Sequence, residues 1–201
     1  MAAVCPEGAR ISVKRRPLGQ FVRRIRRFVR AKLLRMMPND LRIRGLRGQG
    51  LRVGERCIVS TVDFSEPYLV EIGNHVAISV GCQFITHDAA IWVFRDSNPD
   101  MDLFGTIKVG DNTYFGTNCT VLPNSTIGSN CIIGSGTVVR GHIPDGSVVL
   151  GNPGRVVMKT ALIKHLLVNH KNRLDTHALS PDDKERAIRR HFGLADGGSG
   201  R

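Results

Sequence analysis

The sequence predicts an all-β fold: a parallel β-helix wound from six-residue windows, with helical extensions at both ends. Three observations predict it. Large apolar residues recur every six positions from Val109 through Phe115, Val121, Ile127 and Ile133 to Val139. The fifth place of each window is small (Thr113, Cys119, Ser125, Cys131, Thr137) until Ile143 ends the run. Gly is abundant at 22 residues while aromatic residues make up only 5%, which suits tight corners around a narrow core rather than a broad mixed core.

A period of six matches neither the 3.6 of a helix nor the 2 of an isolated strand. It suits a triangular coil in which each window supplies one short strand and one corner. The large residue points inward and the small one fits beside the corner. Coils stacked ~4.8 Å apart hydrogen-bond to one another, and each buries its edge against its neighbours. A β-sandwich would instead show alternation and turn clusters every 8–12 residues.

The first 50 residues read as a basic, amphipathic extension. Residues 1–52 carry 15 of the 29 Lys and Arg and only two acids, Glu7 and Asp40. The rest of the chain is close to neutral, so the net charge of +12 belongs to this segment and not to the β-helix. Phe21, Val22, Ile25, Phe28, Val29, Leu33 and Met36 fall at helical spacing, with Arg23, Arg24, Arg26, Arg27 and Arg30 between them. Pro38 is expected to end that helix. Two readings of it stay open: packing against the coil or a neighbouring subunit, or lying on an anionic membrane surface.

The β-helix is expected over residues 51–158. Its phase is visible early, in Val53 and Val59, and in Ile72, Ile78 and Phe84. Cys57 and Cys82 take the fifth place there, so four of the five Cys share one phase of the repeat. That points to packing by a small, weakly apolar side chain rather than to metal ligation or disulfides.

The phase breaks after Phe84. Ile72 to Val109 is one residue more than a multiple of six, so residues 85–108 are expected to leave the coil as a loop. Long excursions from a rigid scaffold are where binding residues concentrate. This one holds His87, Asp88, Arg95 and the chain's only Trp, Trp92. Residues 159–201 read as a helical cap with a disordered tail. A helix is expected from about Thr160 to His170 over the open end of the coil. Another starts after Ser180 as N-cap, with Pro181 at its first position.

Chemistry concentrates on few residues. His75 falls at a solvent-facing place in its window, His142 at a corner, and His165, His170, His177 and His191 in the C-terminal extension. His87 alone stands at the mouth of the excursion. A histidine there is either a surface residue or a base, since its pKa of ~6.5 suits proton transfer near neutrality. No Cys or His pairing suggests a metal, and no Gly-x-Ser-x-Gly elbow suggests an acyl-enzyme.

Residues 53–158 resemble the hexapeptide-repeat acyltransferases, in particular maltose and galactoside acetyltransferases and polysaccharide O-acetyltransferases. The resemblance rests on Val109-Gly110-Asp111-Asn112, Tyr114-Phe115-Gly116, Ile127-Gly128-Ser129-Asn130, the run Ile133 to Val139, and Gly151-Asn152-Pro153-Gly154-Arg155. It implies a left-handed β-helix, a homotrimer with sites between subunits, and acetyl-CoA as co-substrate without a metal. It implies His87 as the general base. Thr117 and Ser135 match pantetheine contacts, Arg140 and Gly141 match the nucleotide end, and Arg155 matches a phosphate contact. On the acceptor side the spacing departs from the family by two residues, leaving Ser60, Asp63 and Glu66 near the expected acceptor contacts. Asp88, Trp92 and Arg95 would shape the same pocket.

The expected function is O-acetylation of a sugar hydroxyl in surface polysaccharide or glycan synthesis. The alternatives are N-acetylation of an amino sugar nucleotide and a non-catalytic β-helix scaffold. No nucleic-acid partner is expected, because only Phe21 and Phe28 interleave with the basic residues. With no secretory signal and no run of ~18 apolar residues, the expected location is cytoplasmic, with peripheral contact at the inner membrane surface left open.

Overall fold

The computed structural model describes residue 29, residues 32–61 and residues 63–194. They form a three-faced parallel β-solenoid. The first face stacks β1 (Arg52–Val53), β4 (Val70–Ile72), β7 (Ile107–Val109), β10 (Ser125–Ile127) and β13 (His142–Ile143). The second stacks β2 (Ile58–Val59), β5 (Ala77–Ile78), β8 (Tyr114–Phe115), β11 (Ile132–Ile133) and β14 (Ser147–Leu150), and the third β3 (Asp63–Phe64), β6 (Gln83–Phe84), β9 (Thr120–Val121) and β12 (Val138–Val139). Every one of these neighbours pairs in parallel.

The hexad phase maps directly onto burial. Val109, Phe115, Val121, Ile127, Ile133 and Val139 all point inward and are buried. The fifth-place residues Thr113, Cys119, Ser125, Cys131 and Thr137 are buried beside them. Each fully buried aliphatic or aromatic side chain stabilises the fold by about 1.5–3 kcal/mol. The thiols do more than fill space. Cys57 Sγ donates to Gly73 O (3.2 Å), Cys82 to Gly116 O (3.0 Å), Cys119 to Gly134 O (3.2 Å) and Cys131 to Pro144 O (3.3 Å). Each bond satisfies a corner carbonyl that strand pairing leaves over. All four thiols are free.

The corner between the first and second faces is a ladder of side chains. The backbone N–H of Glu55 donates to Asn74 Oδ1 (2.9 Å), that of Asn74 to Asp111 Oδ1 (2.6 Å), that of Asp111 to Ser129 Oγ (3.0 Å) and that of Ser129 to Asp145 Oδ1 (2.8 Å). The next residue along, His75, Asn112 or Asn130, sits at positive φ, the region Asn tolerates best among side chains with a Cβ. His75 is exposed there and bonds Asn112 through Nδ1 (2.8 Å), in keeping with a solvent-facing role.

Both ends of the solenoid differ from expectation. At the start, helix α1 (Asn39–Arg47) buries Ile43 and Leu46 in the same core cluster as the coils. The core therefore begins inside the segment read as a basic extension. Residues 32–36 are helical and Pro38 separates them from α1. Within the predicted amphipathic helix only Val29 and residues 32–36 are described. Phe21, Val22, Ile25 and Phe28 lie outside the described residues. Leu34 is buried against Gly45, where an added Cβ would come within 2.4 Å of its Cδ2.

At the other end the chain does not cap the coil with a helix. β15 (Arg155–Lys159) turns back antiparallel on β14. Helix α2 (Thr160–Val168) then runs over the second face, leaving a groove of about 660 Å³ against Ile58, Ala77, Tyr114 and Ile132. An edge strand closed by its own antiparallel partner needs no helical lid. Helix α3 (Pro181–His191) begins as expected, with Ser180 Oγ accepting from the Asp183 N–H (3.2 Å). Residues 195–201, including the expected tail, lie outside the described residues. Among the described residues no helix is long and apolar enough to cross a membrane.

Candidate active site

The excursion leaves the third face after β6 and returns at β7. Tyr114 pairs with Ile132, 18 residues on, whereas Glu71 pairs with Lys108, 37 residues on. The surplus is the excursion. It spans residues 85–106, because Ile107 and Lys108, expected in the loop, already belong to β7. Its neck is pinned by backbone bonds from Asp88 N to Leu103 O (2.9 Å) and from Gly105 N to Thr86 O (2.8 Å), with His87 bridged to Phe104.

At this neck His87 meets Glu66. His87 Nδ1 lies 3.1 Å from Glu66 Oε2. The pairing follows from coil geometry: Phe64 stands in register with Phe84, so Glu66 falls beneath Thr86 and His87. The buried Thr86 hydroxyl donates to the same carboxylate oxygen and accepts from the Glu66 backbone N–H (3.0 Å). The carboxylate is thus held from two sides and is largely sheltered, while the imidazole is about half exposed. An ionised carboxylate only accepts, so in the neutral imidazole Nδ1 carries the proton and Nε2 keeps its lone pair for solvent or ligand. Beneath them Phe64 stacks on Phe84 with centroids 4.8 Å apart, and Phe84 meets Phe115 edge-on at 5.6 Å. This rigid aromatic column fixes the floor.

Of the other residues predicted for the acceptor pocket, Asp88, Arg95 and Asp63 have their side chains engaged elsewhere. Asp88 Oδ1 accepts from Ala90 N (2.9 Å), capping the 3₁₀ turn Ala89–Phe94. Arg95 donates to Pro99 O (2.9 Å), Met101 O (2.7 Å) and Asp102 Oδ1 (3.0 Å), and so ties the loop to itself. Asp63 pairs with Arg35 at 2.6 Å. Ser60 sits at the corner before β3, its N–H donating to Ile78 O (2.8 Å). Trp92 is 79% exposed at the loop tip, beside the exposed Val93 and Phe94.

On the donor side Thr117 and Ser135 come together on adjacent coils. The Thr117 N–H donates to Ser135 Oγ (3.1 Å), leaving the Ser135 hydroxyl proton for another acceptor. Their approach needs Gly116, where a Cβ would stand 2.5 Å from Ser135 N. Arg140 and Gly141 occupy the corner after β12, with Gly141 at φ 75°. Arg155 opens β15 and is exposed. None of these residues, nor His87, lines the groove under α2. Among the described residues no cluster of His, Cys, Asp or Glu is arranged to hold a metal ion.

Residues 106–141 match the family model described as bacterial transferase hexapeptide (six repeats). Protein CapG of Staphylococcus aureus is 41% identical over 128 residues, covering 62% of this chain and 74% of CapG. The chain belongs to the hexapeptide-repeat acyltransferase family. A second relative of this acyltransferase, the probable acetyltransferase Rv3034c of Mycobacterium tuberculosis, is 32% identical over 56% of this chain, which spans only 38% of that protein. Among solved structures the fold resembles the hexapeptide-repeat acetyltransferase VCA0836 of Vibrio cholerae, with TM-score 0.55, 17% identity, and coverage of 72% of this chain and 94% of that one. The same Vibrio cholerae protein complexed with acetyl coenzyme A aligns with TM-score 0.53 and 18% identity over 65% of this chain and 85% of that one.

The pairing of Glu66 with His87 and the buried Thr86 behind it escaped sequence reasoning. The signal was available: one coil plus the irregularity of the early turns separates positions 66 and 86, so residues about twenty apart stack.

Proposed function

We propose that this acyltransferase moves an acetyl group from acetyl-CoA to a hydroxyl of a sugar-type acceptor, with His87 as the general base. The observation that carries the proposal is the bond from His87 Nδ1 to Glu66. It leaves Nε2 as the only basic ring nitrogen, at a half-exposed position beside the excursion. Nε2 takes the proton from the acceptor hydroxyl as its oxygen attacks the thioester carbonyl. The tetrahedral intermediate collapses with cleavage of the C–S bond, and the imidazolium returns the proton to the departing CoA sulfur. Glu66 stabilises the transient imidazolium charge, and a positioned base contributes ~10²–10⁴-fold.

Thr117, Ser135, Arg140, Gly141 and Arg155 are assigned to the CoA side. The free Ser135 hydroxyl proton supports a bond to a pantetheine carbonyl, and the two arginines supply charge for phosphates. Ser60 and Trp92 are assigned to the acceptor, Trp92 as a stacking surface for a sugar ring. Asp88 and Arg95 shape that pocket through the loop they hold together. A homotrimer completes the site: the apolar loop tip at Trp92, Val93 and Phe94 is left uncovered by its own chain, as expected of a surface that meets a partner.

The test is thiol release from acetyl-CoA with a panel of sugars and amino sugars, for the native protein and His87→Ala. A drop of ~10²-fold or more supports the assignment. Equal rates would remove His87 from the mechanism, and turnover of amino sugars alone would replace O- by N-acetylation.

A further inference from the structure

We propose that the N-terminal cap is a docking surface for an anionic lipid bilayer. Val29 is helical, and Leu33 and Met36 stand at i and i+3 on one face of helical residues 32–36. They are 48%, 53% and 80% exposed. Leu34, on the other side, is buried against Gly45, and Arg35 is bonded to Asp63 at 2.6 Å. The solenoid therefore grips this helix by its opposite edge and presents its apolar face outward. Helix α1 adds exposed Leu41 and Arg44 to the cap.

Charge selects the occupant. The segment that carries this apolar face, residues 1–52, holds 15 of the chain's 29 Lys and Arg against two acids, and the remainder holds 14 against 15. A second copy seated face to face would bring two such basic segments together, which repulsion opposes. A nucleic acid would satisfy the cations, but Val, Leu and Met offer no stacking platform for bases. An anionic bilayer satisfies both features, taking the apolar side chains below the headgroups and pairing the cations with them. Each cation near such a surface raises partitioning by about fivefold, and salt weakens the effect.

The experiment is co-sedimentation of the full chain with phosphatidylglycerol–phosphatidylcholine vesicles and with phosphatidylcholine vesicles, at ~0.1 M salt. Two variants are compared, Leu33→Glu/Met36→Glu and Lys32→Gln/Arg44→Gln. Both change exposed residues, so thermal unfolding and light-scattering mass in the absence of lipid serve as controls. The expected result is at least tenfold stronger partitioning of native protein to the anionic vesicles, lowered tenfold or more in both variants while melting and mass stay native. Equal partitioning to both vesicle types, or variants that bind like native protein, would overturn the proposal. So would loss of oligomeric mass in Leu33→Glu/Met36→Glu, which would give the face to a second copy, or preference for a DNA duplex over the anionic vesicles.

Discussion

Glu66 and His87 are 21 residues apart in sequence and joined by a 3.1 Å bond across one turn of the solenoid. The bond joins a sheltered carboxylate to a half-exposed imidazole at the neck of the excursion, so the coil orients the ring. Removing the carboxylate should therefore act through His87. Glu66→Gln is expected to lower kcat with little change in KM for acetyl-CoA. On a His87→Ala background the same change should cost almost nothing further, since groups acting as a unit are non-additive. Additive losses in the double variant would show that Glu66 works on the acceptor directly.

Gly116 sets how closely two coils approach at the proposed pantetheine side. A Cβ there would stand 2.5 Å from Ser135 N, so Gly116→Ala must push the coils apart beside Thr117. Destabilisation by about 1–3 kcal/mol is expected, together with weaker CoA binding. At Gly136 a Cβ meets nothing within 4 Å but φ is +72°, so Gly136→Ala should cost about 1–2 kcal/mol through backbone strain alone. Calorimetric melting of both variants with and without CoA separates the cases. A ligand-induced shift in Tm that survives in Gly116→Ala would detach this corner from CoA.

The solenoid was legible because a hexad repeats a physical constraint. Val109 to Val139 must each fill the same interior position, so period six appears in composition without any long-range information. The ends and the site lacked such repetition. Ile43 and Leu46 sit in one short helix whose basic residues look like an extension until its buried edge is seen. β15 begins at Arg155, the last residue of the Gly151-Asn152-Pro153-Gly154-Arg155 stretch, and only its antiparallel pairing with β14 reveals that it covers that edge. His87 was visible from its place at the broken phase. Asp88 and Arg95 were visible as polar loop residues but not as its internal ties, because turn bonds depend on loop geometry that no repeat dictates.

Those internal ties predict an indirect effect. Arg95 holds Pro99, Met101 and Asp102 together, so Arg95→Ala is expected to loosen residues 89–102 without unfolding the coils. Limited proteolysis should nick this segment several times faster, while the global melting temperature moves little. Arg95→Lys should rescue poorly, since one ammonium cannot reproduce a guanidinium fork. Native-like proteolysis of Arg95→Ala alongside lost acceptor binding would instead make Arg95 a direct ligand.

The buried Cys131 thiol gives the solenoid a pH signature. Burial pushes it up. In the hydrogen-bonded pair of Cys82 and Cys119 the bond holds Cys82 down, to about 7, and Cys119 up, so the two act on stability in opposite directions. In the unfolded chain a thiol titrates near the ordinary value of about 8.5. For Cys131, below that value both states hold the proton and stability is unaffected. Above it the unfolded state binds fewer protons, so stability falls as pH rises, by about 1.4 kcal/mol per unit while the thiol stays protonated in the fold. Between pH 8.5 and 9.5 the urea midpoint of Cys131→Ala should therefore fall less, or rise more, than that of the native protein. Identical slopes would show that Cys131 is not the cause.

Arg42 makes the sharpest stability prediction, because one guanidinium serves two layers. It donates to Leu34 O (3.1 Å), Arg35 O (3.2 Å) and Met37 O (2.7 Å) at the end of the 32–36 helix and to Val59 O (2.7 Å) on the first coil. Leu34 O also accepts from the Met37 N–H (3.2 Å); the other three carbonyls face a helix terminus and a sheet edge and depend on the guanidinium. Arg42→Ala leaves them unpaired in a part-buried place, and a loss of about 2–3 kcal/mol is expected. Arg42→Lys should recover less than half of it, since three donors on a single nitrogen cannot span the helix end and the coil. The loss should also free the 32–36 helix, so hydrogen exchange there should quicken before the coils change. If Arg42→Ala melts with the native protein and exchange at residues 32–36 is unaltered, the N-terminal helix is held by Leu34 and the Arg35–Asp63 pair alone.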